Sequence, residues 1–154
     1  MTYRKGAIGA LMDEYERAAA ELTRIVNGMT DAQFELVRDR QTDDDHCRSI
    51  QTIMSHVVHS GYGYANYIRA AFSVASEKPP FEVLSRNECL NRLAQMIAYT
   101  ATTLEGRWEY TYEQIMAVQI QSRWGQPYDL EQLLEHAIVH ILRHRRQIER
   151  FLSI

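Results

Sequence analysis

The sequence predicts an all-α fold, an up-and-down-type four-helix bundle with a long first connection. Three observations carry that expectation. Four segments repeat apolar residues at steps of three and four, capping or helix-breaking residues bound them, and the first link between them is long and polar. At 154 residues, with 45% apolar and 24% charged residues, the chain has the size and balance of one globular domain spanning 1–154.

In the first helix Ile8, Leu11, Tyr15, Ala18, Leu22 and Ile25 keep one stripe toward a partner, and Asn27-Gly28 stops it. Residues 29–48 then form the long connection, with Thr30-Asp31-Ala32-Gln33 laid out as a capping box for a short helix. The acidic run Asp43-Asp44-Asp45 precedes the second helix, where carboxylates satisfy free N–H groups and the macrodipole. That helix is expected from about Arg48 to Ala75, burying Ile50, Ile53, Val57, Tyr64, Ile68 and Ala71, with Pro79-Pro80 barring continuation. The third begins near Ser85, boxed by Glu88, presents Leu90, Leu93, Ile97, Ala101 and Leu104, and ends near Gly106. Residues 109–128 read ambiguously: Met116, Val118, Ile120 and Ser122 alternate as in a strand, while adjacent Ile115 and Met116 suit a helix. Gly125 and Pro127 mark a turn, and the fourth helix starts at Asp129 and runs to about Leu152.

Several function classes are excluded on composition. Twenty acidic against 17 basic residues leave no basic stripe for nucleic acid, and the Arg143–Arg146 run reads as a solvated helix face. The N-terminal 22 residues are broken by charge every few positions, so no signal peptide is expected, and no segment is apolar enough for a membrane span. A cytoplasmic setting follows as the expectation, with Cys47 and Cys89 as plain thiols. There is no Ser-His-Asp order, nucleophile elbow or glycine-rich phosphate loop.

The histidines are the chemical signal. Five of the six fall into two clusters, His56 with His59 and His136 with His140 and His144. Around the fourth-helix stripe of Leu130, Leu134, Ala137, Ile141, Ile148 and Leu152, His144 lies about 40° off centre, His140 about 80° and His136 about 120°. On the second helix His56 lies about 90° from the stripe and His59 about 150°. His56, His140 and His144 therefore reach an interhelical groove. The i, i+4 pair can share one ion, and antiparallel packing would bring His56 opposite it, giving a three-histidine set open for water or substrate. No glutamate follows His140, so the HExxH protease mechanism is not supported. Imidazole and water suit zinc, nickel, iron or manganese alike.

The segment His136-Ala-Ile-Val-His140-Ile-Leu-Arg-His144-Arg-Arg-Gln147-Ile148 resembles the last helix of DinB-like (YfiT-like) bundle proteins, which carries a histidine, three residues, then His-Arg-Gly-Gln-Ile. Ile53-Met54-Ser55-His56-Val57-Val58 resembles that family's second-helix ligand segment. The resemblance implies a four-helix bundle, commonly dimeric, with a divalent metal on His56, His140 and His144. It also implies metal-dependent transfer or isomerisation with a low-molecular-weight thiol such as bacillithiol, mycothiol or glutathione, and a small electrophile. Arg146 departs from the family's glycine, which bears on helix packing and the approach to the metal. Tyr62, Tyr64 and Tyr67 are candidate pocket-lining residues, although packing is the commoner role for tyrosine, and Gln147 is a candidate to orient a ligand histidine. Trp108 and Trp124 are compatible with a dimer surface. The alternative to an enzyme is a non-catalytic metal-binding or interaction bundle of the same fold.

Overall fold

The structure, a computed structural model, describes residues 2–153. It is mostly helical: α1 (Gly6–Asn27), α2 (Asp31–Glu35), α3 (Ile50–Ala71), α4 (Arg86–Leu104), α5 (Tyr112–Ala117) and α6 (Leu130–Leu152). A small antiparallel hairpin, β1 (Ile120–Gln121) with β2 (Pro127–Tyr128), precedes α6.

Local chemistry sets these boundaries. Thr30, Ser49, Ser85, Thr111 and Asp129 each cap a helix through a reciprocal capping box. Helix α3 is shorter than its apolar pattern suggests. It starts after the Ser49 cap rather than at Arg48, and stops at Ala71 rather than Ala75. Ser73 takes a left-handed φ of 57°, and Ser73 and Val74 donate back to the Ala70 and Arg69 carbonyls, which closes the helix in a Schellman motif. Ala71 is accordingly exposed. The acidic run serves a different terminus from the one expected: Asp44 caps a 3-10 turn, Asp45–Cys47, by accepting from the His46 N–H at 2.9 Å. Residues 109–128 hold both readings in succession, helix α5 and then the hairpin.

The buried face of α4 is turned by about one residue from the expected stripe. Cys89, Leu93, Met96, Thr100 and Leu104 point inward, while Leu90, Ile97 and Ala101 stand at the margin. The buried Thr100 hydroxyl donates to the Met96 carbonyl, so its burial leaves no orphan. At the end of α6, Leu152 is exposed and Ile148 closes the core.

Helix α1 packs on α4 and α6, and α3 packs on the same two. Helices α3 and α6 run antiparallel: His56 meets His144, and further along α3 Tyr64 meets His136. Helices α3 and α4, however, run parallel. Ser55 lies at Cys89, Gly61 at Met96, Asn66 at Tyr99 and Arg69 at Thr103. A strict up-and-down order is therefore corrected, because residues 72–85 travel back along α3 before α4 begins. Arg69 bonds the Ala75 carbonyl, Asn66 the Glu77 carbonyl, and Gln51 the Leu84 carbonyl. Fourteen extended residues reach about 46 Å, ample for the roughly 33 Å of a 22-residue helix.

The core is continuous, from Ile8, Met12, Tyr15 and Leu22 through Ile53, Met54 and Ile68 to Leu93, Leu134 and Ile141. A Cβ at Gly61 would sit 2.5 Å from Met96 Sδ, so glycine is what lets α3 and α4 approach at that point.

Candidate metal centre

Antiparallel α3 and α6 bring three imidazoles together where their apolar stripes give way to polar shoulders. His56, His140 and His144 each offer one ring nitrogen, and these nitrogens lie within 4.8 Å of one another. His56 Nε2 and His140 Nε2 are 3.0 Å apart, and the three ring centroids are 4.5–5.1 Å apart. Nitrogens held at about 2.1 Å by one tetrahedral ion would be about 3.4 Å apart, so the His56–His140 pair need open by only a few tenths of an ångström and the group as a whole is already within reach of one ion.

The donors are in the right chemical state. Burial, with the neighbouring histidines, pushes His56 down to about 4 and His140 down to about 3, and burial also lowers His144. All three are neutral near pH 7 and carry lone pairs. Gln147 Oε1 lies 3.1 Å from His144 Nδ1, and an amide oxygen only accepts, so Nδ1 holds the proton and Nε2 keeps the lone pair. The same oxygen accepts weakly from Cys47 Sγ at 3.8 Å. Three neutral donors that converge, with His144 oriented from behind by Gln147, fit a divalent ion. The group could hold one.

The remaining histidines separate as helix geometry anticipates, with one addition. His59 is exposed and edges against Phe81. His136 turns to the hairpin, stacking on Trp124 at 5.1 Å. His46 has no place in the sequence clusters, yet the 3-10 turn lays it on His56 at 5.0 Å and 24°, with Phe81 at its edge. No periodicity links positions 46 and 56, so spacing carries no signal for it. Asp44, held below the usual carboxylate range chiefly by the His46 N–H, is the nearby negative charge acting on His56 and His144.

A family model described as the DinB family matches residues 2–152. The chain belongs to the DinB family. No curated protein matches it. Within this DinB member the departure at Arg146 costs no packing, since that side chain is exposed, while neighbouring Arg145 turns inward to pair with Glu21 of α1. Tyr62, Tyr64 and Tyr67 all line a cleft that opens beside the histidines. Trp108 is half-buried under Arg4, whose guanidinium lies 5.1 Å from its ring, so Trp108 is no exposed anchor; Trp124 is 43% exposed. Among the described residues no helix is long and apolar enough to cross a membrane.

Proposed function

We propose that residues 1–154 form one bundle domain that binds a single divalent ion through His56, His140 and His144 and serves as a metal-dependent transferase for a low-molecular-weight thiol. The observation that carries this reading is the convergence of three neutral imidazoles on one point bordered by an open cleft. The ion supplies Lewis acidity, which lowers the pKa of a thiol brought to it.

The chain's own residues supply position and charge. Gln147 fixes the tautomer of His144, and His46 covers one side of His56. Ser60, with Oγ at 3.5 Å from His56 Nε2, is placed to hydrogen-bond a group that approaches from the cleft. No carboxylate belongs to the three-nitrogen group, so the set favours an anionic partner, and no protein nucleophile is required. Zinc, nickel, iron and manganese all suit such donors. A homodimer in the cytoplasm belongs to the same proposal.

The test begins with metal analysis of the purified protein and of His144→Ala. One equivalent in the parent, lost in the variant, is expected. Conjugation of an electrophile such as chlorodinitrobenzene to glutathione, bacillithiol and mycothiol is then assayed on the loaded protein. Stoichiometric metal without turnover on any thiol would move the reading to a non-catalytic metal-binding bundle, and no metal would end both.

A further inference from the structure

Helix α3, the returning segment 76–79 and the hairpin tip at 123–124 enclose a cleft of about 570 Å³. Volumes of a few hundred Å³ are those of small-molecule sites. One end of the cleft meets the histidine cluster. Ser60 and Tyr64 line it, and they also touch His56 (3.5 Å) and the His140 ring (5.5 Å between centroids).

The walls are aromatic and fixed. Trp124 meets Tyr64 and Tyr67 edge-on, with centroids 6.5 and 6.0 Å apart. It is held from behind by its stack on His136 and by donating its Nε1–H to the Tyr128 hydroxyl at 3.3 Å. The Arg123 backbone N–H donates to the Tyr67 hydroxyl at 2.9 Å, which pins the hairpin tip to α3.

Two cations line the same space, Arg123 from the hairpin and Lys78 from the returning segment. Among the described residues neither makes an ion pair with a carboxylate. The Arg123 charge is felt at both His59 and Tyr64, in keeping with a guanidinium that faces the cleft. Flat aromatic walls select a planar apolar body, and a free guanidinium fork matches a carboxylate.

We propose that this cleft binds a small aromatic carboxylic acid, its ring along Tyr64, Tyr67 and Trp124 and its carboxylate on Arg123 and Lys78. The substituent opposite the carboxylate then points past Ser60 to the histidines. That last step alone rests on the metal reading above.

The test titrates sodium benzoate and neutral benzamide into the whole protein, stripped with EDTA and again after zinc loading, by tryptophan fluorescence and calorimetry. Benzoate is expected to bind saturably in both states, and about tenfold more tightly than benzamide. Arg123→Gln and Lys78→Gln should each weaken benzoate about tenfold and leave benzamide unchanged, with an unaltered near-ultraviolet dichroism spectrum showing an intact fold. Trp124→Leu should weaken both ligands. Equal affinity for the two ligands, or benzoate binding indifferent to both cation substitutions, overturns the proposal. So does benzoate binding seen only after zinc loading, which would put the carboxylate on the ion; the metal reading survives that result. Conversely, a protein that takes up no metal yet holds benzoate through Arg123 keeps this site and loses the metal reading.

Discussion

His144 can serve an ion only through one of its nitrogens, and the residue that decides which is Gln147, three positions on and in contact at 3.1 Å. Replacing it with alanine frees the ring to rotate and change tautomer. We expect Gln147→Ala to weaken metal binding by about 10- to 100-fold while still reaching one equivalent at high metal. A chelator competition measures this, and an unchanged affinity would reduce Gln147 to a bystander. The two cysteines give a second check at this scale. Burial pushes the Cys89 thiol up to about 11 and makes the residue inaccessible, whereas Cys47, also raised by burial, is only half-buried and open to reagent. At pH 8 iodoacetamide should label Cys47 alone in the native protein and both thiols in urea, as mass spectrometry of the digests will read. The histidine triad was legible in the sequence because helical rotation sorts positions by direction. His46 was not, because a turn places it and a turn has no period.

At the scale of the element, the segment 72–85 has no secondary structure of its own and is held through a few polar contacts to α3. The most deeply buried is at Ser55, which donates to the Gln51 carbonyl and accepts the Leu84 N–H at 3.0 Å within the core. Ser55→Ala removes the acceptor and leaves a buried N–H unpaired, a cost of about 1–3 kcal/mol. Urea unfolding should show it as a lower midpoint with an unchanged slope; a variant as stable as the parent would mean that the segment docks by other contacts. At the opposite end Ser73 holds a left-handed conformation that glycine adopts without penalty. Ser73→Gly is therefore expected to stabilise by up to about 1 kcal/mol, read as a raised Tm, with part of the gain offset by the freer unfolded chain. Capping residues made the starts of α2, α4 and α6 legible, at Thr30, Ser85 and Asp129. The end of α3 was not, because Ser73 in a glycine's conformation leaves no mark in the sequence, and the buried face of α4 was misread because threonine and cysteine replace leucine and isoleucine at its centre.

At the scale of the whole molecule, the sequence announces four long amphipathic helices but not their directions. Connection length does not distinguish a parallel from an antiparallel neighbour when 14 residues can span a helix either way. The parallel α3–α4 pair follows from contacts such as Ser55 with Leu84, which are not periodic. The antiparallel packing of α3 on α6 puts three imidazoles in a desolvated groove, and the groove has a thermodynamic consequence. In the metal-stripped protein His56 and His140 titrate near 4 and 3, against about 6.5 in an unfolded chain. Between those values the unfolded chain binds more protons than the native one, so stability falls as pH falls. The contribution is whole above about pH 6.5 and is lost progressively as pH falls, down to about pH 4 for His56 and about pH 3 for His140. EDTA-treated protein should thus show a Tm that drops between pH 7 and pH 5. The double variant His56→Gln, His140→Gln should show a shallower drop over the same range. Added zinc at pH 7 should raise the parent's Tm in a concentration-dependent way and leave the variant's nearly unmoved, since the ion binds only the folded ligand set. A parent whose Tm is flat across this interval would mean that the three rings are solvated, and the desolvated donor set on which the metal reading depends would be gone.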